Sequence, residues 1–251
     1  MSLASDATAN GFGTAPDEAG KESRMGEHGE VKVNVDTVLI TLKDDDLHIA
    51  LAPREAAFEN GKLALVGAIM DGNKDADLEA VVTRSLRDKA GLSDIYFEQL
   101  YTFSGRTNKQ GGPRDTRWPS ISVTYIALVP MSKLIAADAL AHGLVLVPAN
   151  EVPALPFDHN DMIEAAVERL RGKGAWSVLP AYLLEDEFTI PELNEVYRKV
   201  VGTKALGQNF RRKVIENEML ELVEVRPNPR SARPSEHYRI KPGVSTVNAR
   251  L

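Results

Sequence analysis

Three side chains near the end of one amphipathic stretch pose the first chemical question. In LEAVVTRSLRDKAGL (78–92), Leu78, Val82 and Leu86 recur four apart, which predicts a helix that Gly91 closes. Ser85, Asp88 and Lys89 stand at i, i+3 and i+4 on it and so share one face, beside Arg84. A hydroxyl, a carboxylate and an ammonium sum to no net charge. Mg²⁺ working on phosphates needs hard anionic oxygens, so this face makes a poor metal site and receives no catalytic assignment. Asp71, Asp75 and Asp77 in the preceding loop are an alternative carboxylate set, unless they are simply solvated.

A second group could bind rather than react. Arg114 and Arg117 lie in the Gly- and Pro-broken loop RTNKQGGPRDTRWPS (106–120), and guanidinium forks suit a pyrophosphate. Plain surface charge is the competing reading, and Arg54 and Arg106 are the next candidates. Trp118 covers either a ligand or the sheet.

A third group suits nucleic acid. Gln208 and Asn209 can make bidentate contacts with base edges, and Arg211, Arg212 and Lys213 follow them, with Lys204 just before. Arg230 and Arg233 in the Pro/Arg-rich RPNPRSARP suit phosphates, which position a protein on DNA without reading sequence. Alone, the basic run could be a solvated helix face. Residues 204–241 carry nine basic side chains against five glutamates, or +4, although the whole chain is −6. The acidic average hides a basic module.

Other chemistries are excluded by what is missing. With no cysteine there is no disulfide, thiol nucleophile or Cys-ligated zinc, and the five histidines are too scattered for a His-built metal site. No apolar run reaches membrane-spanning length, and the N-terminus lacks the pattern of a secretory signal, so a soluble cytoplasmic protein without a membrane partner is expected.

The elements that must position these groups follow from periodicity. Residues 1–32 are rich in Gly, Ala, Ser and acidic side chains and read as a disordered tail. VKVNVDTVLITL (31–42) and LHIALAPR (47–54) read as a hairpin, with KLALVGAIM (62–70), DIYFEQLYTFSG (94–105) and ISVTYIALVP (121–130) as further strands and a second helical segment near 132–142. This predicts a mixed-sheet α+β sandwich, an effector domain over 33–155. Beyond it, helical patterns run through 159–174 and around 176–184. Thr189 and Glu192 form a capping box opening a helix whose inward stripe is Leu193, Val196, Tyr197 and Val200. A helix over 205–220, with Phe210 inward, and strands over 220–225 and 235–240 complete a winged helix-turn-helix over 156–251.

These segments resemble a known family. VGAIMDGNKDADLEAVVTRSLRDKAGL is similar to a Nudix box, with Arg84 on the box arginine and Leu86 on its aliphatic position. The box glutamates fall on Ser85, Asp88 and Lys89, the upstream one on Ala76, and Ala68 stands where the glycine belongs. YTFSGRTNKQGGPRDTRWPSISVTYIALVP resembles ADP-ribose-type Nudix proteins, with RDTRWPS in place of the usual RDPRG. LPFDHNDMIEAAVERLRGK, FTIPELNEVYRKVVG and ALGQNFRRKV resemble the C-terminal module of the Nudix-related, NrtR-type transcriptional regulators. The resemblance spans about 34–242. It implies a Nudix-like sensor with a degenerate box fused to a winged helix: a homodimeric repressor of double-stranded DNA operators, answering to a phosphorylated effector such as ADP-ribose, without a cofactor. The alternative it leaves is a divergent Mg²⁺-dependent Nudix hydrolase.

The basic module generates a test of its own. Arg212→Ala should cost about 1–3 kcal/mol on an operator and relax preference at one position per half-site. Arg230→Ala should weaken all DNA alike and lower the salt slope by about one unit for each phosphate the side chain no longer reaches. Salt titrations of both variants on operator and scrambled duplexes separate the roles; the same loss from both variants on both duplexes would refute the division of labour.

Overall fold

The computed structural model describes residues 29–109, 111–202, 215, 219–228 and 233–243. Most of the N-terminal tail lies outside these, as do Lys204, Gln208, Asn209, Arg211, Arg212, Lys213 and Arg230; Arg233 is described. Val31–Leu251 group as one compact unit.

Alternation of β-branched residues builds a seven-stranded mixed sheet. β1 (Lys32–Lys43) turns through Asp44 and Asp45, both at positive φ (49° and 73°), into antiparallel β2 (Asp46–Pro53). That two-residue turn is the kind whose twist matches a hairpin. β3 (Leu63–Ala64) pairs with β2, and β4 (Val66–Ile69) with β1. β5 (Tyr96–Phe103) forms the edge beside β6 (Ser120–Leu128), and β7 (Val145–Pro148) returns to β2. β1 and β6 run parallel in the middle.

Each face of the sheet carries its own core. Val35 and Leu39 face α1 (Leu78–Ala90), where Val81, Val82, Leu86 and Ala90 are buried against them. Val38 and Ile40, on the alternate side, face α3 (His159–Gly174) through Met162, Ile163, Ala166 and Leu170. The result is an α/β/α sandwich. α2 (Met131–Ala136) is shorter than the helical pattern near 132–142 predicts, because Asp138 takes a φ of 49° and the chain leaves the helix.

The expected boundary between 155 and 156 does not coincide with a change in packing. α3 is the second helical layer of the sandwich, and the cluster that buries it also holds Leu179, Leu183, Val196 and Val200 from the chain that follows. Periodicity reports that a helix has a buried face but not which sheet buries it.

The winged-helix elements follow. A 3-10 turn at Leu179–Leu183, with Pro180 at its start, replaces a full helix around 176–184. β8 (Phe188–Thr189), which the strand signals do not reveal, leads into α4 (Ile190–Val201), and the Thr189–Glu192 capping box is formed. β9 (Leu220–Arg226) and β10 (Ser235–Ile240) are antiparallel, and with β8 they make a three-stranded sheet. The inward stripe of α4 is divided. Leu193 and Tyr197 join Phe188, Leu220 and Tyr238 in a small core, while Val196 and Val200 enter the cluster beneath α3. Tyr182 stacks on Tyr96 with centroids 3.8 Å apart, and Lys199 reaches Asp45 in the β1–β2 turn. Among the described residues no helix is long and apolar enough to cross a membrane.

Leu170→Ala follows from the placement of α3. Leu170 is fully buried, so its truncation should destabilise the sheet domain by about 2–5 kcal/mol. A chain ending at residue 155 should fail to give a cooperative urea transition. A stable, cooperative fragment would show that α3 is dispensable to the sandwich.

Candidate functional site

The loop between β5 and β6 is held by Arg114. Its backbone N–H donates to the Arg106 carbonyl at 3.1 Å, and its guanidinium donates to the carbonyls of Phe103 and Ser120. Its Nε lies 2.7 Å from the Asp158 carboxylate, and only 6% of Arg114 is exposed. Burial pushes Asp158 up to about 6, against the lowering effect of Arg114. Arg114 is thus committed to the fold as well as lining the cleft. Arg106 is exposed and does not line it: its side chain stays on the outer surface, while its backbone carbonyl receives Arg114.

Arg117 and Arg54 meet over one ring. Arg117 forks onto Asp115 at 3.0 and 2.8 Å and lies 4.3 Å from the Trp118 centroid and 4.9 Å from that of Phe157. Arg54 approaches the same Phe157 ring at 4.8 Å and donates to the Phe58 carbonyl. Phe157 has a φ of 63°, a region that a bulky side chain enters at a cost of about 1–3 kcal/mol. Burial, then the nearby Arg117, lowers the pKa of Arg54. Two cations flank one aromatic ring in a partly dehydrated cleft, and an entering anion relieves their repulsion.

The next residues close the floor. His159 Nδ1 accepts from the Leu65 N–H at 3.2 Å, and Nε2 lies 3.8 Å from Asp36. Burial lowers the His159 pKa, which favours the neutral ring. Asp36 also accepts from the Ser122 hydroxyl. Gly67 is required here: a Cβ would lie 2.5 Å from the Val35 carbonyl and 2.6 Å from Asp36 Oδ1. The cleft of about 210 Å³ shares Arg54, Gly67, Lys89 and His159 with an adjoining one of about 330 Å³.

The box helix has lost its metal-binding character. Ser85 is buried and donates to the Val82 carbonyl; Asp88 is exposed beside Arg87; Lys89 donates to the Gly67 carbonyl at 2.5 Å. The three share a helix side; Lys89 reaches the Gly67 carbonyl, and Asp88 lines the edge of the adjoining cleft. Arg84 forks onto Asp75 in the preceding loop with two contacts of 2.7 Å. That hydrogen bonding holds Asp75 at about 2. Asp71 accepts from the Asn73 N–H, and Asp77 caps α1 through Ala80. The loop aspartates are structural, and the described residues contain no group of three or more carboxylates or imidazoles placed to hold a metal. These donors do not fit Mg²⁺.

The sequence pattern missed Asp36, Phe58, Phe157, Asp158 and His159. Four other candidates, Arg54, Arg114, Arg117 and Lys89, are brought together around the cleft. Arg233 stands exposed before β10, far along the chain from this site, and lines a hollow with Pro191 and Tyr238.

A Nudix-type sandwich with an arginine-lined cleft, sharing a core with a winged helix, defines a ligand-sensing regulator. Residues 180–240 match the NrtR DNA-binding winged helix domain. NrtR of Shewanella oneidensis, in a crystal structure with a 27mer DNA, is 32% identical, with a TM-score of 0.74 over 87% of this chain and 97% of that one. This chain belongs to the NrtR family of Nudix-fused winged-helix regulators. The ADPR responsive transcriptional repressor NtrR of Acinetobacter baylyi is 28% identical over 210 residues, 82% of this chain and 81% of its own. A MutT/nudix family protein of Enterococcus faecalis shares the fold at 22% identity and a TM-score of 0.64, over 87% of this chain and 91% of that one.

The two loop arginines should separate in experiment. Asp158 lies above the ordinary carboxyl value of 3.8, so in the wild type it costs stability as pH rises from there to about 6. Arg114→Ala leaves it buried and unpaired. The variant should lose about 3–5 kcal/mol where the carboxyl must ionise, and less in acid, where a proton replaces the partner. Arg117→Ala should instead weaken pyrophosphate binding by about 1.5–3 kcal/mol with a smaller stability loss. Calorimetry and urea unfolding at acid and alkaline pH decide; equal unfolding losses in both variants would contradict the assignment.

Proposed function

We propose that this protein is a homodimeric transcriptional repressor whose affinity for its operator is set by ADP-ribose bound, and not hydrolysed, in the Arg54–Arg117 cleft. The carrying observation is that cleft: two guanidinium groups converge on Phe157 beside a box helix that offers Lys89 where metal-binding carboxylates are expected. The diphosphate would meet the arginines, and the flat base and sugars have Phe58, Phe157 and Trp118 nearby. ADP-ribose is favoured because the Acinetobacter relative is named for its response to that ligand. The DNA contacts are assigned to the winged helix, whose Shewanella counterpart was crystallised with DNA. Two half-sites read by a dimer imply an inverted repeat, with a cytoplasmic site of action. The hydrolase reading needs anionic oxygens that Ser85 and Lys89 do not supply.

The test couples the two ligands. Fluorescence anisotropy on the operator should show ADP-ribose changing DNA affinity by about fivefold or more, and operator DNA should change ADP-ribose affinity by the same factor. With Mg²⁺ present, chromatography should detect no turnover approaching about 1 s⁻¹. Turnover at that rate, or DNA binding indifferent to saturating ADP-ribose, would defeat the proposal.

A further inference from the structure

We propose that Lys89 is an effector-binding residue that takes over the charge-neutralising work of a divalent cation, so that this cleft binds a diphosphate without metal. The inference deepens the ADP-ribose reading and rests on it for the ligand's identity.

The geometry places Lys89 where such a charge is useful. It lies one turn from Ser85 on α1, at a box position where the family resemblance expects a carboxylate, and it lines both adjoining parts of the cleft. Its stem runs over the surface while Nζ turns inward to the Gly67 carbonyl at 2.5 Å. An ammonium has three donors, and this hydrogen bond uses one. Gly67 itself sits against Asp36, and the ammonium feels the Asp36 and Glu55 carboxylates as well as the Arg54 and Arg84 guanidinium groups. Burial lowers the pKa of Lys89, with Asp36 opposing the shift. That is the condition of a cation with incomplete compensation, which a diphosphate would provide.

The cleft's charges agree with this. Arg114 is spent on Asp158, and Arg117 is half-neutralised by Asp115. Asp88, the one carboxylate retained on the box face, pairs with Arg87 at the edge of the adjoining part of the cleft. Asp36, Asp115 and Asp158 also line the cleft, but Asp115 and Asp158 are paired with Arg117 and Arg114, so Lys89 and Arg54 are the cations that add positive charge there. The duller alternative is that Lys89 only ties α1 to β4 through the Gly67 carbonyl, a structural role that leaves ligand affinity unchanged.

Lys89→Gln retains a donor of similar reach for the Gly67 carbonyl and removes only the charge; Lys89→Arg restores charge. Calorimetry would measure inorganic pyrophosphate and ADP-ribose on wild type and both variants, each in EDTA and in Mg²⁺, with circular dichroism and melting as fold controls. We expect wild type to bind both ligands in EDTA, with no gain from Mg²⁺. Lys89→Gln should bind each about tenfold more weakly or worse, and Lys89→Arg should recover most of it. Binding that requires Mg²⁺, a Lys89→Gln variant that binds as wild type, or no binding of either ligand would overturn the proposal. If pyrophosphate behaves as expected and ADP-ribose does not bind, the Lys89 site stands and the effector assignment falls.

Discussion

The parallel pairing of β1 with β6 is the constraint on which the remaining structure depends. Nine residue pairs run in register from Lys32 opposite Ser120 to Ile40 opposite Leu128. Because strand side chains alternate, this register fixes Val35 and Leu39 toward α1 and Val38 and Ile40 toward α3. It also sets Asp36 beside Ser122, which donates to it, and brings the start of β6 close enough for the Ser120 carbonyl to receive Arg114. A slip of one residue would exchange the two sets between the faces and drive Asp36 into the core beneath α1. Cleft floor and both helical layers would be lost together.

From that frame the cleft is finished by seven residues leading into α3. Asn160 fixes the entry by accepting from the Leu155 N–H and donating to the Pro153 carbonyl. Phe157 then receives the two guanidinium groups, Asp158 pairs with Arg114, His159 joins Leu65 to Asp36, and Asp161 accepts from the Lys109 N–H. The strained φ of Phe157 sits among these contacts, which over-determine it. Arg54 and Arg117 hold their places by stacking as much as by charge, so their forks are oriented before a ligand arrives.

Much of this frame was legible in the sequence because it rests on periodicity and local chemistry. β1, β2, β5, β6, α1 and the Thr189 capping box are each written in a run of neighbouring residues. The degenerate box was equally legible, since loss of carboxylates at Ser85 and Lys89 needs no tertiary information. The allegiance of α3 was not, because an amphipathic helix carries the same pattern whichever core receives it. Nor were Asp36, Phe157, Asp158 and His159. Each has an isolated signal, and only long-range pairing brings Asp36 to His159 or Asp158 to Arg114. Arg106 and Arg114 lie in one basic loop, and burial, which the sequence does not show, separates them. The DNA-contacting candidates from Lys204 to Arg230 lie outside the described residues and rest on the sequence alone.

The divided stripe of α4 carries a mechanical consequence. Val196 and Val200 are embedded under the sandwich while Leu193 and Tyr197 anchor the winged helix, and the Tyr96–Tyr182 stack clasps the same junction. A flexible tether would average away a small motion at one end before it reached the other. Side chains packed across the junction, beside a hollow of about 310 Å³ lined by Tyr96 and Tyr182, join the two parts directly. The same rod that seats Leu193 is wedged against α3, whose first turn forms the wall of the ligand cleft. The sensor and the reader therefore share a packed junction and are not joined by a tether alone.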